Sequence, residues 1–181
     1  NTISGFTDDN AVGLYVGARV DGSAPTVTGN TLSGNDTGLK INGENGGIYR
    51  SNTLSGNVYG ADIYSSGDDL DLPVIADNTW ADNSEADFKI AGDLSGEVLW
   101  PANARITLSR LDVRDSATLE IQPGTQVRFT GGGQLSVYGT LLAEGVTFTA
   151  LDAESPWRGI YFSGAEASGS RLEDCLIEHA Q

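Results

Sequence analysis

Asn30-Thr31-Leu32-Ser33-Gly34-Asn35 returns as Asn52-Thr53-Leu54-Ser55-Gly56-Asn57, and this six-residue phrase decides the fold. A looser copy reads Asn78-Thr79-Trp80-Ala81-Asp82-Asn83. A truncated one, Asn1-Thr2-Ile3-Ser4-Gly5-Phe6, opens the chain. The copies start 29, 22 and 26 residues apart. A repeat of that length is the mark of a stacked solenoid, in which one unit cannot bury its apolar face alone.

Working outward, each phrase is followed by a short alternating run. The runs are Leu14-Tyr15-Val16, Leu39-Lys40-Ile41, Ala61-Asp62-Ile63 and Phe88-Lys89-Ile90. Apolar–polar–apolar is the period of a half-buried strand. Gly13, Gly38 and Gly60 precede three of the runs, and their freedom at positive φ predicts a corner there. Each copy therefore reads as strand, corner, strand, with Ile3, Leu32, Leu54 and Trp80 pointing inward. Stacked corners place Asn over Asn, where amides bond to one another in a ladder. The outward residues Tyr15, Lys40, Asp62 and Lys89 form a column in which Lys40, Asp62 and Lys89 alternate in sign, each contact worth about 0.2–1 kcal/mol.

Beyond residue 93 the phrase disappears and longer strands take over. Leu111/Val113, Leu135/Val137 and Ile160/Phe162 repeat as one face. Leu119/Ile121 and Leu141/Ala143 repeat as a second. Val127/Phe129, Val146/Phe148 and Cys175/Ile177 repeat as a third. Pro123-Gly124, Gly131-Gly132-Gly133, Gly139 and Gly145 mark the turns between them. Three strand faces per turn describe a parallel β-helix, all-β, of about seven coils. Residues 1–93 and 94–181 are expected to be two dialects of a single domain, joined at Leu94–Pro101. The chain is expected to be a piece of a longer protein.

Composition narrows the partners. The 181 residues carry 25 acidic and 10 basic groups, a formal net charge of −15. That field repels nucleic acid, anionic lipid and polyanionic polysaccharide unless cations intervene. No apolar run reaches the ~20 residues that cross a bilayer, so no membrane insertion is expected. The lone Cys175 excludes an internal disulfide and sits at an inward position, as a buried inert thiol. His179, the one histidine, lacks a second histidine or a nucleophile motif to work with. Neither end shows an amphipathic capping helix, which predicts end-to-end contact with the parent protein or another copy.

The run Leu119-Glu-Ile121-Gln-Pro123-Gly124-Thr125-x-Val127-x-Phe129, then Leu135-x-Val137-x-Gly139-Thr140-Leu141-x-Ala143, resembles secreted bacterial β-helix repeat proteins. Trp157-Arg158-Gly159-Ile160-Tyr161-Phe162 and Cys175-x-Ile177-Glu178-x-Ala180 carry the same likeness. The Asn-phrase half is similar to the same pectate-lyase-like superfamily. The resemblance implies a right-handed helix and a secreted or cell-surface location. That superfamily holds polysaccharide lyases, glycoside hydrolases, uronate epimerases and surface proteins of no known activity. The sequence shows neither a Gly-His-Gly with paired Asp nor an Asp-Pro-x-His, and fold alone does not license an enzyme.

Two sets of residues are candidates for a site. Asp68, Asp69 and Asp71, in the loop Ser65–Pro73, are spaced to offer carboxylates to Ca²⁺, the one cofactor the sequence suggests. Asp8-Asp9 is a weaker version of that cluster. Tyr15, Tyr49, Tyr59 and Tyr64 concentrate in the first half and are candidates either to stack on sugar rings or to face the core or pack under a loop. The resemblance implies that a lyase would set an Arg or Lys base beside such a Ca²⁺ site, and stacking of the coils in register would bring Arg50 and Lys40 near the Asp68 loop. Trp80, Trp100 and Trp157 read as core. The expected function is a non-catalytic extracellular module, structural, adhesive or contacting a polysaccharide or cell-surface glycan. The alternative is a Ca²⁺-dependent polysaccharide lyase or a glycoside hydrolase.

Overall fold

A computed structural model describes residues 1–17, 25–42, 47–64 and 77–181. Its parallel sheets stack as a β-solenoid of about six turns, against the seven coils read from the repeats. Contacts cluster into two compact units, Asn1–Lys89 and Ile90–Gln181.

The first unit contains β1 (Thr2–Ser4), β2 (Val12–Val16), β3 (Thr26–Thr28), β4 (Thr31–Ser33), β5 (Thr37–Asn42), β6 (Ile48–Arg50), β7 (Thr53–Ser55), β8 (Tyr59–Tyr64) and β9 (Thr79–Ala81). The next strand, β10 (Ala86–Leu94), carries the boundary between the units. The strands of the first unit form three parallel sheets, β1-β4-β7-β9, β2-β5-β8 and β3-β6. The Asn phrases supply the first sheet. Ile3 pairs with Leu32, Leu32 with Leu54, and Leu54 with Trp80, in unbroken register. Leu32 and Leu54 are fully buried, so the inward column expected from the repeats exists.

Each phrase lies between two left-handed residues. Gly29, Ser51 and Asp77 precede the first Asn of their copies at φ 66°, 57° and 61°. Gly5, Gly34, Gly56 and Asp82 precede the sixth position at φ 86°, 63°, 62° and 54°. These turns put both asparagines of a copy at corners, and two ladders result. In one, Asn35 gives its backbone N–H and its Nδ2 to Asn57 Oδ1, both at 3.0 Å. Asn57 repeats this toward Asn83 Oδ1, at 3.2 Å for each. In the other, Asn30 donates in the same way to Asn52, and Asn52 to Asn78. Asn1 Nδ2 joins that ladder at Asn30 Oδ1, 3.0 Å away. Asn35, Asn52, Asn57 and Asn83 are all buried, and the ladders give their amides the partners that burial demands.

Gly13, Gly38 and Gly60 play a different part from the one expected. None of the three has positive φ; the left-handed corners belong to the residues named above. They are glycine because there is no room. A Cβ on Gly38 would stand 2.7 Å from the Gly60 carbonyl and 3.1 Å from Asn57 Nδ2. Gly13 and Gly60 face the next coil's backbone and the Nδ2 of Asn35 and Asn83 at similar distances. The inner ladder closes against this glycine column.

The second unit continues with β11 (Glu97–Trp100), β12 (Arg105–Val113), β13 (Thr118–Ile121), β14 (Gln126–Val137), β15 (Thr140–Glu144), β16 (Thr147–Ala150), β17 (Ile160–Phe162), β18 (Arg171–Glu173) and β19 (Leu176–Ile177), with a 3₁₀ turn at Glu166–Gly169. One sheet is β11-β13-β15-β18. In the other, the long strands β12 and β14 each supply two faces. The first half of β14 pairs with β16 and its second half with β17. The β12–β14 ladder shifts register between Leu108 and Arg110, the bulge that turns the corner. The first two faces read from sequence hold residue for residue: Leu111 on Leu135, Val113 on Val137, Leu119 on Leu141, Ile121 on Ala143.

The third face is corrected by two residues. Val127 pairs with Phe148 and Phe129 with Ala150, not with Val146 and Phe148. The inward position beside Val146 belongs to Thr125, buried with its Oγ1 donating to the Pro101 carbonyl at 2.8 Å. A hydroxyl that finds a carbonyl is tolerated inside, and a hydrophobic pattern skips it. A slip of two keeps the same side chains inward. Trp157, fully buried as expected, stacks on Phe129 with ring centroids 3.9 Å apart and donates Nε1 to the Glu178 carbonyl at 2.8 Å. Trp100 is also fully buried, whereas Trp80 is half-buried against Phe88. Cys175 is half-buried rather than enclosed in the core, with Sγ 3.3 Å from the Glu173 carbonyl.

Candidate functional site

The outer face of β2, β5 and β8 carries the most developed polar arrangement of the first unit. Pairing puts Tyr15 beside Lys40 and Lys40 beside Asp62, as the alternating runs predict. Asp62 lies 3.3 Å from Lys40 Nζ and 3.6 Å from Lys89 Nζ. One carboxylate thus serves two ammonium groups. Lys89 Nζ also rests 3.8 Å above the centre of the Tyr59 ring, a cation–π contact. Around this column opens a cleft of about 270 Å³, lined also by Asp9, Asn10, Asp36 and Thr37.

The four tyrosines that are candidates to meet sugar separate into three situations. Tyr15 and Tyr64 are exposed, at 55% and 49%. Asn42 connects them: it follows Lys40 by two residues on β5 and pairs with Tyr64. Two strand spacings across and two residues along put Tyr15 and Tyr64 about 12 Å apart, the reach of a disaccharide. Tyr59 is half-buried beneath Lys89, which covers its ring face. Tyr49 is a correction, because it is fully buried and offers no face to a ligand. Burial pushes its phenol up to about 12, since a phenolate there would lose its hydration.

The expected Ca²⁺ cluster, Asp68, Asp69 and Asp71, lies outside the described residues. Among the described residues, no group of three or more acidic, Cys or His side chains is placed to hold a metal. Lys40 and Arg50 stand on different sheets, on β5 and β6, so the strand face with the cleft does not carry both. Lys40 is engaged by Asp62.

The sequence reading passed over one cluster in the second unit. Thr149 Oγ1 lies 3.2 Å from Glu178 Oε1 and 3.1 Å from His179 Nδ1. The hydroxyl donates to Glu178 and can accept from His179 Nδ1–H, and Glu178 reaches the same ring nitrogen at 3.9 Å. A nucleophile–base–orienter relay needs the two imidazole nitrogens on different partners, so this is not one. The parallel pairing of β16 with β19 brings the groups together, and no local motif announces a contact 30 residues apart. The second unit also has a groove of about 300 Å³ beside Glu120, Leu142, Glu144 and Arg171.

No protein-family model, curated protein or solved structure matches this chain. Its fold rests on the repeats and the stacked sheets themselves.

Proposed function

We propose that this chain is a non-catalytic, extracellular β-helix module of the pectate-lyase-like kind, secreted or held at a bacterial cell surface, which contacts carbohydrate. The observation that carries this reading is the β2–β5–β8 face. Two exposed tyrosines share that strand face with a polar cleft, outside its lining, and the two lysines of the cleft both pair with Asp62. Aromatic faces pack against the apolar faces of pyranose rings, and their hydroxyls meet ring oxygens. A lysine base for proton abstraction needs to shed its proton near neutral pH. Lys40 Nζ is instead engaged in an ion pair with Asp62 at 3.3 Å. Among the described residues, the two amide ladders and the glycine column of the first unit and the apolar interior of each unit serve as scaffold.

A polysaccharide panel, incubated with the protein with and without Ca²⁺, tests the reading. Binding without turnover is the expected result. Appearance of an unsaturated, ultraviolet-absorbing product that EDTA abolishes would replace it with the lyase alternative. New reducing ends without that absorbance would replace it with a hydrolase.

A further inference from the structure

The cleft has a charge of its own. Asp9, Asp36 and Asp62 line it against Lys40 and Lys89, three carboxylates to two ammonium groups. Both lysines already pair with Asp62 and Lys89 also caps Tyr59, so a new anion reaches them only in competition with that carboxylate. The whole chain adds a field of −15. A polyuronate brings one carboxylate per sugar and must find cations that are not already engaged. A neutral sugar asks only for donors, acceptors and an aromatic face. Asn10, Thr37 and the carboxylates provide the first two. Tyr15 and Tyr64, on the same strand face beside the cleft and outside its lining, provide the last.

We propose, resting on the carbohydrate-contacting reading above, that the β2–β5–β8 face selects neutral polyhydroxyl glycans and rejects polyuronates, with Asp62 as the residue that sets the choice. Asp62 does so by holding both lysines. Removing its charge frees them, and removing that of Asp36 as well leaves the cleft with more positive than negative groups.

The test is calorimetric titration of the full chain with soluble neutral glucan, galactan and mannan, and with polygalacturonate of matched length. Wild type is compared with Tyr15→Ala/Tyr64→Ala and with Asp36→Asn/Asp62→Asn, each checked for an unchanged circular dichroism spectrum. At low salt the wild type is expected to bind at least one neutral polymer about tenfold or more tighter than polygalacturonate. The tyrosine variant is expected to lose about tenfold of that affinity. The aspartate variant is expected to gain about tenfold or more for polygalacturonate, a gain that added salt removes. Equal or tighter binding of polygalacturonate by the wild type overturns the selectivity and leaves the carbohydrate reading standing. So does an aspartate variant that gains nothing. Binding of no polymer at all overturns both.

Discussion

Asn57 touches three coils through one carboxamide. It accepts from Asn35, donates to Asn83 Oδ1, and donates to the Leu32 carbonyl at 3.0 Å. Asn57→Ala strands buried donors and acceptors on both neighbours, so urea denaturation should show a loss of about 3–5 kcal/mol. Asn1→Ala, on an exposed rung, should cost under about 0.5 kcal/mol in the same assay. Gly38→Ala should cost about 2–3 kcal/mol, because its methyl group meets backbone rather than a side chain that can swing away. Tyr49 adds a pH signature. Its folded pKa lies above the unfolded value of 10, at about 12. The stabilisation is therefore complete below pH 10 and disappears as pH rises toward 12. The linkage is worth about 2–3 kcal/mol. Stability measured between pH 10 and 12 should fall by that much more in wild type than in Tyr49→Phe. The ladders were legible because Asn recurs at fixed places in the phrase. The glycines were legible as positions and misjudged as to cause, since a sequence does not show which coil presses against which.

At the scale of elements, the strand faces were readable wherever the inward residues were all apolar. Leu111, Leu135 and Ile160 announced their own register, and so did Leu119 and Leu141. The third face slipped because Thr125 fills a core position with a hydroxyl. Tyr49 was misread for the reverse reason: tyrosine is equally at home in a core and on a surface, and burial is decided by neighbours distant in sequence. The charged column on β5 and β8 was readable from alternation alone, but the placing of Lys89 over Tyr59 was not. Asp62→Ala should cost under about 1 kcal/mol, with a salt-dependent share, since half-exposed ion pairs contribute little. A double-mutant cycle with Lys40→Ala at low and high ionic strength checks this.

At the scale of the whole molecule, the surplus of 15 negative charges opposes every compact state of the chain. Salt screens that repulsion over about 10 Å at 0.1 M. The melting temperature at pH 7 should therefore rise as sodium chloride increases from about 0.01 to 0.1 M. A flat or falling melting temperature would mean that attractive pairs such as Arg114–Asp93, at 2.7 Å, outweigh the net repulsion. The ladder spacing has one more consequence. Successive rungs of the Asn1–Asn30–Asn52–Asn78 ladder are 29, 22 and 26 residues apart in sequence, and each pair is joined by the same Nδ2-to-Oδ1 bond. The corners set the geometry, and the length of peptide between them is left unconstrained. A further copy of the phrase placed 22 or 29 residues from its neighbour should therefore add a rung with the same amide partners.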